Sequence, residues 1–493
     1  MANPALTASE LAWILQNAKP QAIVTTLDGW KTLRRAIEEL SDNVVRQTLL
    51  RDDRIFTVDP TSDPYGTASH TPGPPPPGAR DWKALLSSPP LKSPIPFTPS
   101  ECLARTAVII WSSGTSGKSK GVQLSHAALT TSLAALWHIS TGFDGDERWL
   151  AFVPFFHVFG LTNVLLLAAC CGGTALVMPK FEPRTLLGYV QRHRVTFLHM
   201  APPVAVLLAK SPMLDDFDVS SVRGGVSGGA PLGSEVIETV HKRLGFPVKL
   251  GYGMSEAPSL CHQVGDTWEE LQPQLGSTGV PLYGVEIKIV PSDSDGAGAV
   301  LKRGREGEIL VRSPSVMSGY LNNGAATAEA FTQDGWLRTG DVGKIDDSGF
   351  LWITDRLKEV IKVKGFQVSP SELEAVLCAS PLVADAGVIS VFDAAQATEL
   401  PRAYVVPTDT TLLTQHVLGE TEASPELKRL GGEVRKWVEG RTAHYKWLRG
   451  NVVFVLQIPK TPSGKILRRL LKDTKGVDVC IYPEKVQPVR AKL

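Results

Sequence analysis

Cysteine is scarce in this 493-residue chain, and the six present, Cys102, Cys170, Cys171, Cys261, Cys378 and Cys480, form no C-x-x-C pair and no repeated spacing. Neither a zinc site nor a disulfide framework is written into them, and a reducing compartment suits them. Excess charge is missing as well. The 51 Lys and Arg stand against 50 Asp and Glu, a formal net charge of +1, which leaves no field to recruit a nucleic acid or another polyion. No internal repeat occurs, which excludes a solenoid. The opening residues, MANPALTASELAWILQNAKPQ, lack the basic stretch, apolar stretch and small-residue cleavage site of a secretory leader. With 43% hydrophobic and 20% charged residues the chain is an ordinary globular one, long enough for roughly three domains or one large core with a satellite.

One uncharged run, from Trp149 through Pro179, exceeds the roughly 20 residues that a membrane span needs. Pro154, His157, Gly160, Asn163 and Gly172-Gly173 divide it into strand-like LAFVP, a short apolar helix and strand-like TALVM. It reads as interior flanking a parallel sheet, not as a transmembrane segment.

Apolar runs alternate with amphipathic segments through the first half: AIVTT, TAVIIW, LAFVP, TALVM, VTFLHM and PVKLGYG. The pattern predicts an α/β fold with a parallel sheet. A proline-rich detour, HTPGPPPPGARDW and SPPLKSPIPFTPS, reads as a surface loop because proline cannot donate ladder bonds. From Gly276 to Thr354 short alternating strands with Gly turns predict a small antiparallel β unit. Beyond it Ser369, Pro370 and Glu372 occupy capping-box positions of a helix that carries Leu373, Val376 and Leu377 on one face. The expected division is 1–354 for a large domain and 355–493 for a smaller α+β one.

The strongest local signal is TAVIIWSSGTSGKSKGVQLSH, residues 106–126. A buried strand opens into a loop of Ser, Gly and Thr that ends in Lys120; VQL then reads as a strand and Ser125 as the cap of a helix. Glycines turn backbone N–H groups toward a polyphosphate, hydroxyls add donors and a lysine neutralises charge, so a phosphate cradle is chemically reasonable. Gly117-Lys118-Ser119 suggests a Walker A loop, but Ser112 stands where that motif needs glycine and no helix follows directly. A flexible connection is the plainer reading of the loop taken alone.

Four further segments appear in order: GYGMSE (251–256), GWLRTGD (335–341), ITDRLKEVIKVKGFQVSPSELE (353–374) and IPKTPSGKILRR (458–469). With the Ser/Gly loop they resemble the adenylate-forming superfamily of acyl-CoA synthetases, luciferases and peptide-synthetase adenylation domains, and most closely 4-coumarate-CoA ligases and related aryl- or acyl-CoA ligases. The resemblance implies a large N-terminal domain of parallel α/β sheets plus a small β unit, and a smaller α+β C-terminal lid. It also implies ATP, Mg²⁺ and coenzyme A as reactants. A carboxylic acid and ATP would give an acyl-adenylate and pyrophosphate, and a thiol would then release AMP.

Residue by residue, the resemblance places Ser112, Ser113, Gly114, Thr115, Ser116 and Lys120 on the phosphates. It gives Tyr252 to adenine stacking, Ser255 to the α-phosphate and Glu256 to Mg²⁺. Gly229, within SGGAPLG (227–233), and Gly251 would let the backbone approach adenine; Asp341 and Arg356 would hold the ribose. Lys465 would reach the substrate carboxylate and the α-phosphate. Lys358 matches the hinge, Lys362 and Gln367 match positions near the adenylate, and Lys180, Lys364 and Gly365 match the CoA path. His157 would stand where the acyl pocket meets the thiol tunnel. GYGMSE in isolation could be a tight βα turn with a solvated glutamate, His157 a core histidine, and each lysine a plain exposed cation.

Ser116, Ser119 and Ser255 depart mildly from the family's usual residues. Val226 is more telling, because hydroxycinnamate-specific members carry a lysine there. With Phe159 on the same pocket wall, an apolar aryl or medium-chain acid is expected. The N-terminal segment resembles one that the family reaches only after about a hundred residues, so part of one α/β subdomain reads as missing. Ala491-Lys492-Leu493 is a conservative variant of the SKL address, which implies a peroxisomal import receptor as partner and a peroxisomal location, otherwise cytoplasmic. A carrier-protein thiol in place of CoA, luciferase-like oxidation, and a catalytically impaired acyl- or nucleotide-binding homologue are the alternatives.

Overall fold

Thr7 and Thr26 begin the chain's first helices, α1 (Ala8–Ala18) and α2 (Leu27–Glu38), each side-chain oxygen accepting a backbone N–H of the first turn. The computed structural model in which they are seen describes residues 1–51, 53–58, 74–87, 89, 93–112, 119–139, 142–178, 181–292, 294, 299–357, 359–364, 366–393, 396, 398–414, 423–461 and 464–479. The helices bury Leu15, Leu33 and Ile37 with Ile55 of a small parallel sheet. That sheet joins β1 (Ile23–Thr26), β2 (Ile55–Val58) and β3 (Arg80–Asp81). Arg80 and Asp81 were expected in the proline-rich loop; they pair with Phe56 and Thr57. A two-residue strand is too short for alternation to reveal.

β4 (Thr106–Ser112) and β5 (Lys120–Ser125) pair antiparallel, which brings Lys120 opposite Ser112. Neither they nor β1 belongs to the large sheet, although their apolar runs suggested one continuous parallel array. Such runs report burial and leave the pairing partner open. Ser125 Oγ accepts from Ala128 N at 3.0 Å and starts α3 (His126–Ile139).

The large sheet follows with β6 (Arg148–Ala151), β7 (Thr174–Val177), β8 (Phe197–Met200), β9 (Gly224–Ser227), β10 (Val248–Met254), β11 (Ala257–His262) and β12 (Val280–Pro281), in the order β12-β11-β10-β9-β8-β6-β7. It is parallel from β7 to β10 and antiparallel beyond. Side chains alternate across it. Leu198, Met200 and Leu250 meet Leu208 of α4 (Pro202–Lys210) on one face. Phe197 and Val226 join Leu136 of α3 on the other. Between β6 and β7 the uncharged run forms a buried π-helix, Gly160–Leu166, that continues as the α-helix Leu167–Cys171. Among the described residues no helix is long and apolar enough to cross a membrane.

An antiparallel sheet of β13 (Glu286–Val290), β14 (Gly307–Arg312), β16 (Leu337–Ile345) and β17 (Leu351–Arg356) follows, while β15 (Gly319–Tyr320) crosses to pair with β5. A separate core then forms around the hairpin of β18 (Ile361–Val363) and β19 (Phe366–Val368). Its sheet comprises β20 (Val383–Asp393), β21 (Thr398–Pro407), β22 (Val452–Phe454) and β23 (Val477–Val479). Helices α5 (Pro370–Cys378) and α6 (Pro425–Glu439) close it, burying Leu373, Val434 and Phe454 together.

Only half of the expected capping box forms at α5. Ser369 Oγ accepts from Glu372 N at 3.1 Å and donates to Thr354 O at 2.7 Å. The Glu372 carboxylate turns away to Lys446 Nζ at 2.6 Å, since an ion pair is a stronger partner than the cap's N–H. Phe454, fully buried in this core, is its largest packing element. Phe454→Ala is expected to lower the unfolding free energy by about 3–5 kcal/mol, read as a fall in the urea midpoint with an unchanged denaturant slope.

Candidate active site

GYGMSE is not a βα turn. It is the end of β10 and the two-residue connection, Ser255 and Glu256, of a hairpin into β11, with Met254 opposite Ala257. Gly253 permits the closure, since a β-carbon there would lie 2.2 Å from Pro258 O. The hairpin buries Glu256 to 8% exposure, so the glutamate is not solvated. Its Oε1 accepts from Tyr320 Oη at 2.9 Å and, at 3.5 Å, from Ser112 Oγ. Lys120 Nζ stands 4.9 Å from the centre of the Tyr320 ring. Burial, with Glu256 adding to it, pushes the Tyr320 phenol up, which keeps it a donor.

Two residues of neighbouring strands build the second half. Asp341 of β16 pairs with Arg356 of β17, and its Oδ1 lies 3.1 Å from Arg356 Nε. Its Oδ2 accepts from Tyr252 Oη at 2.6 Å, and its backbone N–H donates to Thr339 Oγ1 at 3.0 Å. The Tyr252 hydroxyl is pushed well up by burial and then by Asp341. The ring is thereby fixed in orientation, and a carboxylate with about four acceptor positions keeps room for further donors.

Lys465 arrives from the far end of the chain. Thr461 N donates to Lys465 O at 2.8 Å and Lys465 N to Thr461 Oγ1 at 3.0 Å, closing a tight loop. Gly464 has φ +85°, and a β-carbon there would sit 3.3 Å from Ala201 Cβ and 3.2 Å from Pro203 Cδ, so the loop docks against the start of α4. Burial draws the Lys465 ammonium down, Arg356 draws it further, and Asp341, Glu256 and Glu359 oppose both. His157 lies within reach of the same charge. Burial first, then Lys465, lowers its imidazole to about 4, so the ring is neutral at pH 7.

Phe159 N donates to His157 Nδ1 at 3.3 Å, and Phe159 Cε2 stands 3.4 Å from where a Gly228 β-carbon would be. Gly229 follows with φ +88°. Gly251 lies under the same segment, with Val226 Cγ2 3.8 Å from its β-carbon position. Val226 lines a cavity of about 250 Å³ together with Leu136, Phe197, His199 and Lys249.

The structure thus brings together Ser112, Lys120, Tyr252, Ser255, Glu256, Asp341, Arg356, Lys465, His157, Phe159 and Val226. Lys362 and Lys364 stand apart from this cluster. They are exposed on the β18 hairpin, where Ile361 and Val363 take the inward positions, and their backbone N–H groups bind Glu399 Oε2 and Thr398 Oγ1, each at 2.7 Å. Ser113, Gly114, Thr115, Ser116, Lys180, Lys358, Gly365, the Gln367 side chain and Ala491-Lys492-Leu493 lie outside the described residues. Tyr320 and Thr339 were missed in the sequence. Thr339 could have been found two residues before Asp341, whereas nothing local marks Tyr320.

Residues 1–321 match the family model of AMP-binding enzymes, and residues 372–465 match that of the AMP-binding enzyme C-terminal domain. The chain belongs to the AMP-binding enzyme family. It has the adenylate-forming fold, a large N-terminal unit with a smaller C-terminal one. Within the family it is similar to 4-coumarate–CoA ligase 1 of Arabidopsis thaliana, 41% identical over 369 residues, 73% of this chain and 62% of that protein. It is 33% identical to the probable 4-coumarate–CoA ligase 3 of Dictyostelium discoideum over 485 residues, 96% of this chain and 80% of that one. Six such ligases are matched over only 62–64% of their own length, a little under two thirds. ATP-bound MatB from Rhodopseudomonas palustris superposes with a TM-score of 0.76 at 25% identity, covering 96% of this chain and 82% of that one. The O-succinylbenzoate coenzyme A synthetase of Bacillus subtilis, in complex with ATP and magnesium, gives 0.70 at 26% identity and covers 95% and 82%.

For an AMP-binding enzyme the hairpin geometry carries a direct consequence. Gly253→Ala forces a methyl against Pro258 O and loosens Glu256 and Tyr252 together. The expected cost is the roughly 1–3 kcal/mol of an overpacked site, measured as a lowered unfolding midpoint beside Gly324→Ala, whose β-carbon would meet nothing within 4 Å and whose φ is not in the left-handed region.

Proposed function

We propose that the chain is an ATP-dependent acid–CoA ligase that activates an aryl or medium-chain carboxylic acid as its acyl-adenylate and passes the acyl group to the CoA thiol. The observation that carries this reading is the convergence of Tyr252, Asp341 and Arg356 with Glu256 and Lys465, residues from four separated segments. Similarity to 4-coumarate–CoA ligases supports the acid and the thiol; the ATP complexes among the similar structures support the nucleotide.

In the first step a carboxylate oxygen attacks the α-phosphorus and the bond to pyrophosphate breaks. Tyr252 presents a face to adenine while its hydroxyl, held by Asp341, sets the ring's angle. Asp341 keeps acceptor positions for the ribose hydroxyls, and Arg356 balances its charge. Lys465 places a desolvated ammonium against oxygens whose charge redistributes in the transition state, where a low dielectric makes it most effective. His157, neutral, adds no second cation beside it. In the second step the thiol sulfur bonds to the acyl carbon, AMP leaves with the electron pair of the anhydride bond, and the thiol proton is released.

Glu256 is a hard oxygen donor suited to Mg²⁺, and among the described residues no group of three or more His, Cys, Asp or Glu could hold a metal without outside ligands. The fit is therefore to an ion shared with nucleotide phosphates, where it would neutralise their charge.

Pyrophosphate release from ATP and Mg²⁺, measured over aryl and C6 to C12 acids with and without CoA, tests the reading. Acid-dependent release is expected, with thioester accumulating only when CoA is present, and Lys465→Ala is expected to slow release by about 10²–10³. Folded protein that releases none with any acid overturns it. The pH profile supplies an independent check. Because burial lowers Lys465 below the 10.5 of a solvated lysine, its cation is lost at lower pH than usual as the pH rises. The alkaline limb of kcat/KM is expected below 10.5, and Lys465→Arg is expected to move that limb upward.

A further inference from the structure

The floor of the cavity is a row of three residues on neighbouring strands. The registers of β8 with β9 and of β9 with β10 place His199 beside Val226 and Val226 beside Lys249. All three stand on the face opposite Leu198 and Leu250, which belong to the core beneath the sheet. Val226 suits the apolar wall of Leu136 and Phe197. The two residues that flank it do not.

The Lys249 side chain is only 11% exposed, and taking an ammonium out of water costs several kcal/mol. Its Nζ lies 2.7 Å from Asp266 Oδ1 at the cavity rim, and Asp266 is 60% exposed, so the aspartate answers one of the three donors an ammonium carries. The Lys249 charge is felt inside: it adds to burial in lowering His262, another lining residue, to about 4. His199 is 2% exposed, and its Nδ1 has no hydrogen-bond partner among the described residues. An unanswered ring nitrogen and a buried ammonium, on either side of Val226 in a cavity that Asn163, Arg223, His262 and Asp266 also line, are costly to the fold unless a ligand atom meets them.

The distance from the adenylate end fits such an atom. Gly251, at the cluster, and Lys249 are two residues apart on one strand, roughly 7 Å, which one aromatic ring or a short methylene chain would span. We propose that the cavity selects acids whose far end carries a hydrogen-bond-accepting oxygen, with Lys249 Nζ as its donor and His199 on the other side of Val226. The inference rests on the proposed ligase reading, because it assigns the acid's carboxyl end to Lys465 and His157. Val226 remains the apolar middle of the row.

Calorimetric titration of matched acids decides it: 3-(4-hydroxyphenyl)propanoic against 3-phenylpropanoic acid, and 8-hydroxyoctanoic against octanoic acid. In wild-type protein the oxygenated member of at least one pair is expected to bind tenfold or more tightly. That ratio should fall below threefold in Lys249→Met, whose side chain has nearly the same length, and persist in Asp266→Asn, which leaves the ammonium in place. Equal binding within both pairs, absence of binding by both oxygenated acids, or a ratio that survives Lys249→Met overturns the proposal. If Lys249→Met does not fold, the wild-type ratios decide alone. Pyrophosphate release measured on the same acids separates the two readings: a binding preference without release fails the ligase and keeps the pocket, whereas release without a preference keeps the ligase and fails the pocket.

Discussion

The Asp341 carboxylate, with one oxygen on Tyr252 and the other on Arg356, is the interaction on which the rest of the site depends. A buried anion is tolerated only when its oxygens are answered by donors. Here the donors come from β10 of the large sheet and from β17 of the antiparallel one, so the need to satisfy one carboxylate holds two sheets in a fixed relation. Arg356 ends β17 five residues before Ile361 opens the strand hairpin of the second core. The same carboxylate thus lies next to the point at which the C-terminal unit leaves the large one, and the charge of Lys465 returns to it from that unit.

Glu256 plays a parallel part on the other side of the cleft. Tyr320 of β15 and Ser112 at the end of β4 both point hydroxyls at it, and β15 reaches that position by pairing with β5, the strand that carries Lys120. The order of assembly is therefore from backbone to chemistry. An antiparallel ladder sets Lys120 opposite Ser112, a short strand brings Tyr320 against them, and a hairpin made tight by Gly253 presents Glu256 to the hydroxyls of Ser112 and Tyr320. The pair Ser112 and Lys120, Glu256 and Tyr320 lie in three separate stretches of the chain, and the sheet registers make those stretches neighbours.

That distinction explains what could be read from the sequence. The adenylate-forming fold was legible through the resemblance of its ordered motifs to a known family, whereas the antiparallel β unit and the helix behind Ser125 were legible because alternation, capping and glycine turns act over a few residues. Glu256, Asp341 and Lys465 were legible because each sits in a local motif. The separation of β1, β4 and β5 from the large sheet was not, since an apolar strand carries no mark of its partner. Arg80 and Asp81 were hidden by brevity, and the capping box at Ser369 was half lost when Glu372 turned to Lys446, 74 residues beyond it. Tyr320 and the row of His199, Val226 and Lys249 required register, which is a property of pairs. Lys249 alone gave a hint, as the one charged residue in the run PVKLGYG.

The π-helix at Gly160–Leu166 sits directly above that row and contributes Asn163 to the cavity wall. A π-turn carries one residue more than an α-turn over the same length of axis. Loss of a single residue from it would restore ordinary helical winding and leave everything downstream in register, changing only the face within that turn and exchanging Asn163 for a neighbour such as Val164 or Thr162. The polarity of the pocket's lining is thus under the control of chain length as well as of residue identity. The smallest genetic event that could remodel it is the deletion of one codon, with no substitution at any wall position.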